Sequence, residues 1–147
     1  MPFLYEKIEV MREVGVNAEM PQYIPDNINP NFELRPYQIA AFENFITYFE
    51  SEKLCQKPTQ TLFHMATGSG KTLIMAGIML YLYKQGYRNF LFFVNLSNIV
   101  QKTKENFINS SSSKYLFSYE IIINGEKIKV KEVSNFQCSD NTAINIC

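Results

Sequence analysis

The stretch "LFHMATGSGKTLIM", residues 62–75, decides how the rest of the chain is read. One apolar run enters it, two glycines interrupt it, and a second apolar run leaves it. Gly68 and Gly70 flank a single serine, and glycine lets a backbone turn through positive φ at no steric cost. Lys71 and Thr72 follow at once. "TLFHM" reads as a short buried strand. "KTLIMAGIMLYLYK" reads as a helix that is apolar on most faces, packs on a sheet and stops near Gly86.

A glycine turn between a strand and a helix aims successive N–H groups at one point, with the positive end of the helix behind them. That arrangement suits a phosphate. The strict phosphate loop is Gly, four residues, then Gly-Lys-Ser/Thr. Here Gly70, Lys71 and Thr72 fit, while Met65 stands where the first glycine would be. The looser form over residues 66–72 keeps the working parts. The amides of Thr67, Gly68, Ser69 and Gly70 line the turn, Lys71 supplies a mobile cation for the β- and γ-phosphates, and Thr72 supplies a hydroxyl for Mg²⁺. A purine nucleoside triphosphate with Mg²⁺ is the expected cargo. A chance glycine turn is the competing reading; the apolar strand before the loop and the apolar helix after it argue against it.

Upstream, "RPYQIAAFENFITYFESE" places Ile39, Phe42, Phe45, Ile46 and Phe49 at helical spacing, with Pro36 suited to a first turn. Residues 1–33, rich in proline and asparagine at "PQYIPDNINPNFEL", read as an extended arm that Tyr23, Ile24, Ile28 and Phe32 pin to a neighbouring surface. Downstream, "NFLFFV" is an almost continuous apolar run that fits a central parallel strand. Asn95, Ser97 and Asn98 can cap the helix that carries Ile99, Thr103, Phe107 and Ile108. Helix, strand, helix, strand, helix is the order of an α/β unit. After "NSSSSK", Asn124-Gly125 between two β-prone runs marks a hairpin, and "NTAINIC" begins a further strand. Lys127, Lys129 and Lys131 share one face of the second hairpin strand and read as a solvated edge.

With 147 residues, 46% of them apolar, the chain can build one ordinary core. Lys+Arg and Asp+Glu are 14 each, so global charge points to no polyanionic partner, though local patches remain open to one. The three cysteines, Cys55, Cys138 and Cys147, lack metal spacing and suit a reducing, cytoplasmic setting as free thiols. No apolar run approaches the roughly 18 residues of a membrane span, and the amino terminus has no signal-like apolar core. His64, the lone histidine, reads as a packed or capping residue, and Met65, Met75 and Met79 read as core filler.

Three segments together resemble superfamily 2 helicases and translocases. "FELRPYQIAAFENF" resembles the segment just upstream of that family's first motif, in which a glutamine like Gln38 reads the adenine edge and an arginine like Arg35 sits near the base. "HMATGSGKT" is similar to the family's phosphate loop, where the first glycine is usually replaced, so Met65 matches. "FFVNLSNIVQKT" resembles the motif that touches the nucleic-acid backbone, with Asn95 and Ser97 in the matching positions; helix capping is the plainer alternative for either. Within the superfamily the wording is most similar to the amino-terminal region of the restriction (Res) subunit of type III restriction-modification enzymes.

The resemblance implies an α/β fold: a partial RecA-like nucleoside triphosphatase domain with a parallel central sheet, helices on both faces, and a β-hairpin insertion near the carboxy terminus. It implies a division into an arm at residues 1–33 and a partial first motor domain at 34–147, ending before the acidic motif. It implies ATP and Mg²⁺ as cofactors, double-stranded DNA and a methyltransferase (modification) subunit as partners of the full-length enzyme, and no membrane. The parent would be a site-specific deoxyribonuclease with an ATPase motor, whereas this piece alone is expected to hydrolyse ATP very slowly or not at all. Three alternatives stay open: another superfamily 2 motor, a non-catalytic binding module, and an unrelated ATP-binding kinase or transporter ATPase. The last explains the loop but not Gln38 upstream of it.

Overall fold

The structure is a computed structural model and describes residues 2–147. In chain order the helices are α1 (Leu4–Glu13), α2 (Tyr23–Asn27), α3 (Pro36–Glu50), α4 (Lys71–Lys84) and α5 (Ser97–Phe107). The strands are β1 (Asn89–Phe90), β2 (Ile121–Ile123), β3 (Glu126–Glu132) and β4 (Ala143–Ile146). The chain forms two compact units, Met1–Pro21 with Leu34–Ile74 and Gln22–Glu33 with Met75–Cys147.

In the first unit the leader is not extended throughout, because Leu4, Ile8 and Met11 fall at helical intervals and build α1. Glu6 accepts the Phe3 N–H at 2.6 Å, which satisfies a donor that the helix start leaves open. Arg12 ties α1 to α3 by donating to Asn44 Oδ1 at 2.9 Å, and the Thr47 hydroxyl accepts the Ala18 N–H at 2.9 Å. Pro36 opens α3, as its spacing predicts, and Phe42, Phe45 and Ile46 are buried. Residues 61–65, read from sequence as a buried strand, form no strand, and Leu62 is 91% exposed. A strand needs a neighbour for its N–H and C=O groups, and no described segment of this unit supplies one. An open apolar groove of about 950 Å³ lies between α1, α3 and this segment, lined by Phe3, Ile8, Phe45, Leu62, Phe63 and Met65.

The second unit holds a four-stranded sheet in the order β1-β4-β3-β2. β4 runs parallel to β1, with Asn145 opposite Asn89, and parallel to β3, with Asn145 opposite Lys131. β2 is antiparallel to β3. Their turn is Asn124-Gly125, with φ of 56° and 80°, the two successive left-handed positions that a tight hairpin requires. The sheet is therefore mixed and mostly parallel with a hairpin, consistent with a partial RecA-like fold. All four residues of β4 are buried.

Two strands differ in place from the sequence reading. β1 lies at an edge and not at the centre, and alternate residues of its apolar run are exposed, Phe93 at 85%. β3 is interior and not an edge. Its lysines are exposed, two of them in ion pairs: Lys127 with Glu120 at 2.5 Å, and Lys131 with Asp140. Periodicity tells which faces are apolar, but strand order depends on residues far away in sequence.

Residues 22–33 pack on this sheet as expected from Ile24 and Ile28, both buried. The polar half of the attachment is made by asparagines. Asn27 Oδ1 accepts the Ile122 N–H at 2.6 Å, while its Nδ2 donates to Ile122 O at 2.9 Å and Tyr23 O at 2.7 Å. A side-chain amide thus stands in for a neighbouring strand on the outer side of β2. At the end of α4, Gly86 (φ 101°) and Tyr87 donate back to Tyr83 O and Leu82 O, both at 3.0 Å, which closes the helix where the sequence places its stop.

Asp140, which leads into β4, receives Lys131, the Thr142 hydroxyl at 2.6 Å and the Thr142 N–H at 2.8 Å. The Lys131 and Thr142 bonds hold its carboxyl well below the usual carboxylate range. A depressed folded-state pKa contributes stability above the ordinary carboxylate value, about pH 4, and loses it as pH falls further. Urea midpoints of the wild type and Asp140→Asn are accordingly expected to differ at neutral pH and to converge below about pH 4. A gap independent of pH would show that the carboxylate charge plays no part.

Candidate functional site

The candidate phosphate loop lies wholly in the first unit, at the start of α4. Gly68 and Gly70 have φ of 79° and 82°, the left-handed conformation that other residues adopt only with strain. Ser69 N donates to Ala66 O at 3.3 Å, and Leu73 N and Ile74 N both donate to Gly70 O, so the first helical turn grows directly out of the glycine turn. Lys71 is exposed at its base and Thr72 is half-buried beside it. The Lys71 ammonium curls back over the loop and donates to Ala66 O at 2.9 Å and Met65 O at 3.2 Å. An ammonium held by two neutral carbonyls in solvent is weakly held, and an anion of higher charge would draw it away.

α3 braces the other side of the loop. Gln38 is only 4% exposed, and its amide is engaged at both ends. Oε1 accepts the Arg35 N–H at 2.9 Å, closing the start of α3, and Nε2 donates to Ser69 O at 2.9 Å. The Tyr37 hydroxyl donates to the same Ser69 oxygen at 3.0 Å, and Arg35 Nη1 approaches that hydroxyl at 3.5 Å. A Cβ on Gly70 would lie 2.4 Å from Gln38 Nε2, so a side chain here would push the Gln38 amide off Ser69 O as well as strain φ. Ser69 Oγ is buried and has no hydrogen-bond partner among the described residues.

The structure therefore brings Arg35, Gln38 and residues 67–72 together, an arrangement in keeping with the resemblance. Tyr37 is the member that the sequence reading passed over. Its signal is faint, an aromatic hydroxyl one residue before Gln38 in the first turn of α3.

Asn95 and Ser97 lie in the second unit, and both are exposed. The helix-capping reading of these residues fails, because the residue flanking α5 is Leu96 and no side chain caps that helix. His64 is exposed and not packed as expected. Met79 is core, but Met75 is 43% exposed. Among the described residues no three His, Cys, Asp or Glu side chains gather as a metal site. No helix among them is long and apolar enough to cross a membrane.

Residues 31–147 match the family model described as type III restriction enzyme, res subunit. The chain is 40% identical over 136 residues to a protein of Haemophilus influenzae named as a probable type III restriction-modification enzyme HindVIP Res subunit. That alignment covers 88% of this chain and 26% of the relative, so the chain spans about a quarter of the relative's length. No solved structure matches the chain.

Proposed function

The chain belongs to the family of type III restriction enzyme Res subunits, and we propose that it is the nucleotide-gripping part of a DNA-dependent ATPase motor. The observation that carries this reading is the glycine turn at the head of α4. Lys71 is folded over it, and Tyr37 and Gln38 hold it from behind. Its amides and Lys71 would hold the phosphates of ATP. Thr72 would contribute one oxygen to Mg²⁺, an ion that takes most of its remaining ligands from phosphate and water; Mg²⁺ would offset the charge of the phosphates. Arg35, whose exposed guanidinium stands beside Tyr37, would lie against the adenine. Gln38 would meet the base through the N–H that its bond to Ser69 leaves over.

Asn95 and Ser97, exposed at the start of α5, would meet a phosphate of double-stranded DNA. The longer protein would act in the cytoplasm with a methyltransferase partner and couple ATP hydrolysis to DNA cleavage. The present chain would bind ATP without steady turnover.

A calorimetric titration of MgATP and of MgGTP into the purified chain tests this. Saturable binding that favours ATP is the expected result. Equal affinity for both nucleotides would remove the base-reading roles of Arg35 and Gln38. A folded chain that takes up neither nucleotide would overturn the proposal.

A further inference from the structure

We propose that Tyr37 is a positioning residue for the phosphate loop, fixing the orientation of the Ser69–Gly70 peptide through its hydroxyl. It rests on the nucleotide-binding reading above, to which it adds a residue and a mechanism. The geometry is specific. A carbonyl oxygen has two lone pairs, and Ser69 O receives two donors, Tyr37 Oη at 3.0 Å and Gln38 Nε2 at 2.9 Å. Both donors come from the first turn of α3, and Gln38 is itself fixed by the Arg35 N–H. In a trans peptide the C=O and the following N–H point in opposite directions. Holding the Ser69 oxygen toward α3 therefore turns the Gly70 N–H away from α3, toward the mouth of the loop.

The alternative orientation matters because glycine makes it accessible. With Gly68 and Gly70 both at positive φ, the intervening peptides have no Cβ on the glycine side to resist a flip. A flipped Ser69–Gly70 peptide would present a carbonyl oxygen where the loop must present a donor, and a phosphate would meet a negative dipole in place of a positive one. One donor on Ser69 O leaves the peptide a single tether, and two donors from different side chains fix its plane. Tyr37 is 42% exposed and its ring carries little of the core, so its hydroxyl acts on the loop and not on the fold.

Tyr37→Phe removes that hydroxyl and keeps the ring. Calorimetry would compare MgATP, magnesium tripolyphosphate and adenosine on the wild type and the variant, beside a thermal melt. Loss of one neutral hydrogen bond predicts that ATP and tripolyphosphate both weaken by roughly three- to ten-fold. Melting temperature should not move, and adenosine affinity, which reports the Arg35 contact with the Tyr37 hydroxyl, should fall less than that of tripolyphosphate. Weakening of adenosine alone, or a fall in melting temperature that accounts for the loss, would overturn the proposal in favour of a base contact or a packing role.

A ligand-free measurement separates this idea from the nucleotide reading. In Tyr37→Phe the backbone amide resonance of Gly70 is expected to broaden or to exchange faster with solvent than in the wild type. If the wild type binds no triphosphate but this change occurs, the brace stands and the nucleotide reading falls. If the Gly70 amide is indifferent to the hydroxyl, the brace falls, whatever the chain binds.

Discussion

Lys71→Ala is expected to weaken MgATP binding by about 100-fold or more and to leave the melting temperature nearly unchanged. The two halves of that expectation come from different observations. The ammonium donates to the carbonyls of Met65 and Ala66, at 3.2 and 2.9 Å, on an exposed loop. Hydrogen bonds of that kind, open to water, add little to folding, because water replaces them when the side chain is cut back. On a triphosphate the same ammonium would meet several anionic oxygens, and charge-assisted bonds are each worth about 1.5–3 kcal/mol. Two such bonds account for the 100-fold. Calorimetry with MgATP on Lys71→Ala, beside a thermal melt, gives both numbers. Retained affinity would mean that the loop amides alone hold the nucleotide. A large drop in melting temperature would mean that the Lys71 contacts with Met65 and Ala66 are structural.

How much of this was legible in the sequence varies from residue to residue for physical reasons. The starts of α3 and α4, the hairpin at Asn124-Gly125 and the glycines of the loop are local facts, set by proline, by helical spacing and by residues tolerant of positive φ. They were readable because a few neighbouring residues determine them. The helix α1 was equally local, since Leu4, Ile8 and Met11 have the spacing, but the prolines that follow drew the whole leader toward an extended reading.

Residues 61–65 and β1 show the opposite limit. An apolar run says that a segment prefers strand geometry; whether it pairs, and on which side, is decided by other segments. So residues 61–65 have strand-like composition without a ladder, and β1 sits at an edge.

The site follows the same division. Gln38 and the loop could be placed together from their residue types and the resemblance they carry. The double donation to Ser69 O could not, because the reach of the Tyr37 hydroxyl depends on how α3 approaches the loop. Asn145 is the clearest hint that the sequence carries. It is an asparagine in an apolar stretch, and a buried amide must find several partners.

Asn145→Ala should cost about 2 kcal/mol of stability, although the side chain is remote in sequence from every proposed binding residue. Asn145 is 0% exposed, on the strand that joins β1 to β3. Its Nδ2 donates to Asp140 O at 2.8 Å and to Arg88 O and Asn89 Oδ1, both at 3.2 Å, and its Oδ1 accepts the Asp140 N–H at 2.9 Å. One side chain therefore ties the entry of β4 to the entry of β1. Alanine would leave the Asp140 N–H without its acceptor, at about 1–3 kcal/mol for a group left unsatisfied, while Arg88 O and Asp140 O keep the backbone N–H groups of Asn145 and Ala143. Domains of ordinary size have only about 5–15 kcal/mol in total, and a chain of this length loses about 2–4 °C of melting temperature per kcal/mol. The melt of Asn145→Ala should thus fall by roughly 6 °C. Asn145→Asp should fall at least as far, since a carboxylate cannot donate to Asp140 O, Arg88 O or Asn89 Oδ1 and would place a second negative charge beside Asp140. A melting temperature within about 2 °C of the wild type in both variants would show that water enters this corner and satisfies the groups that Asn145 serves.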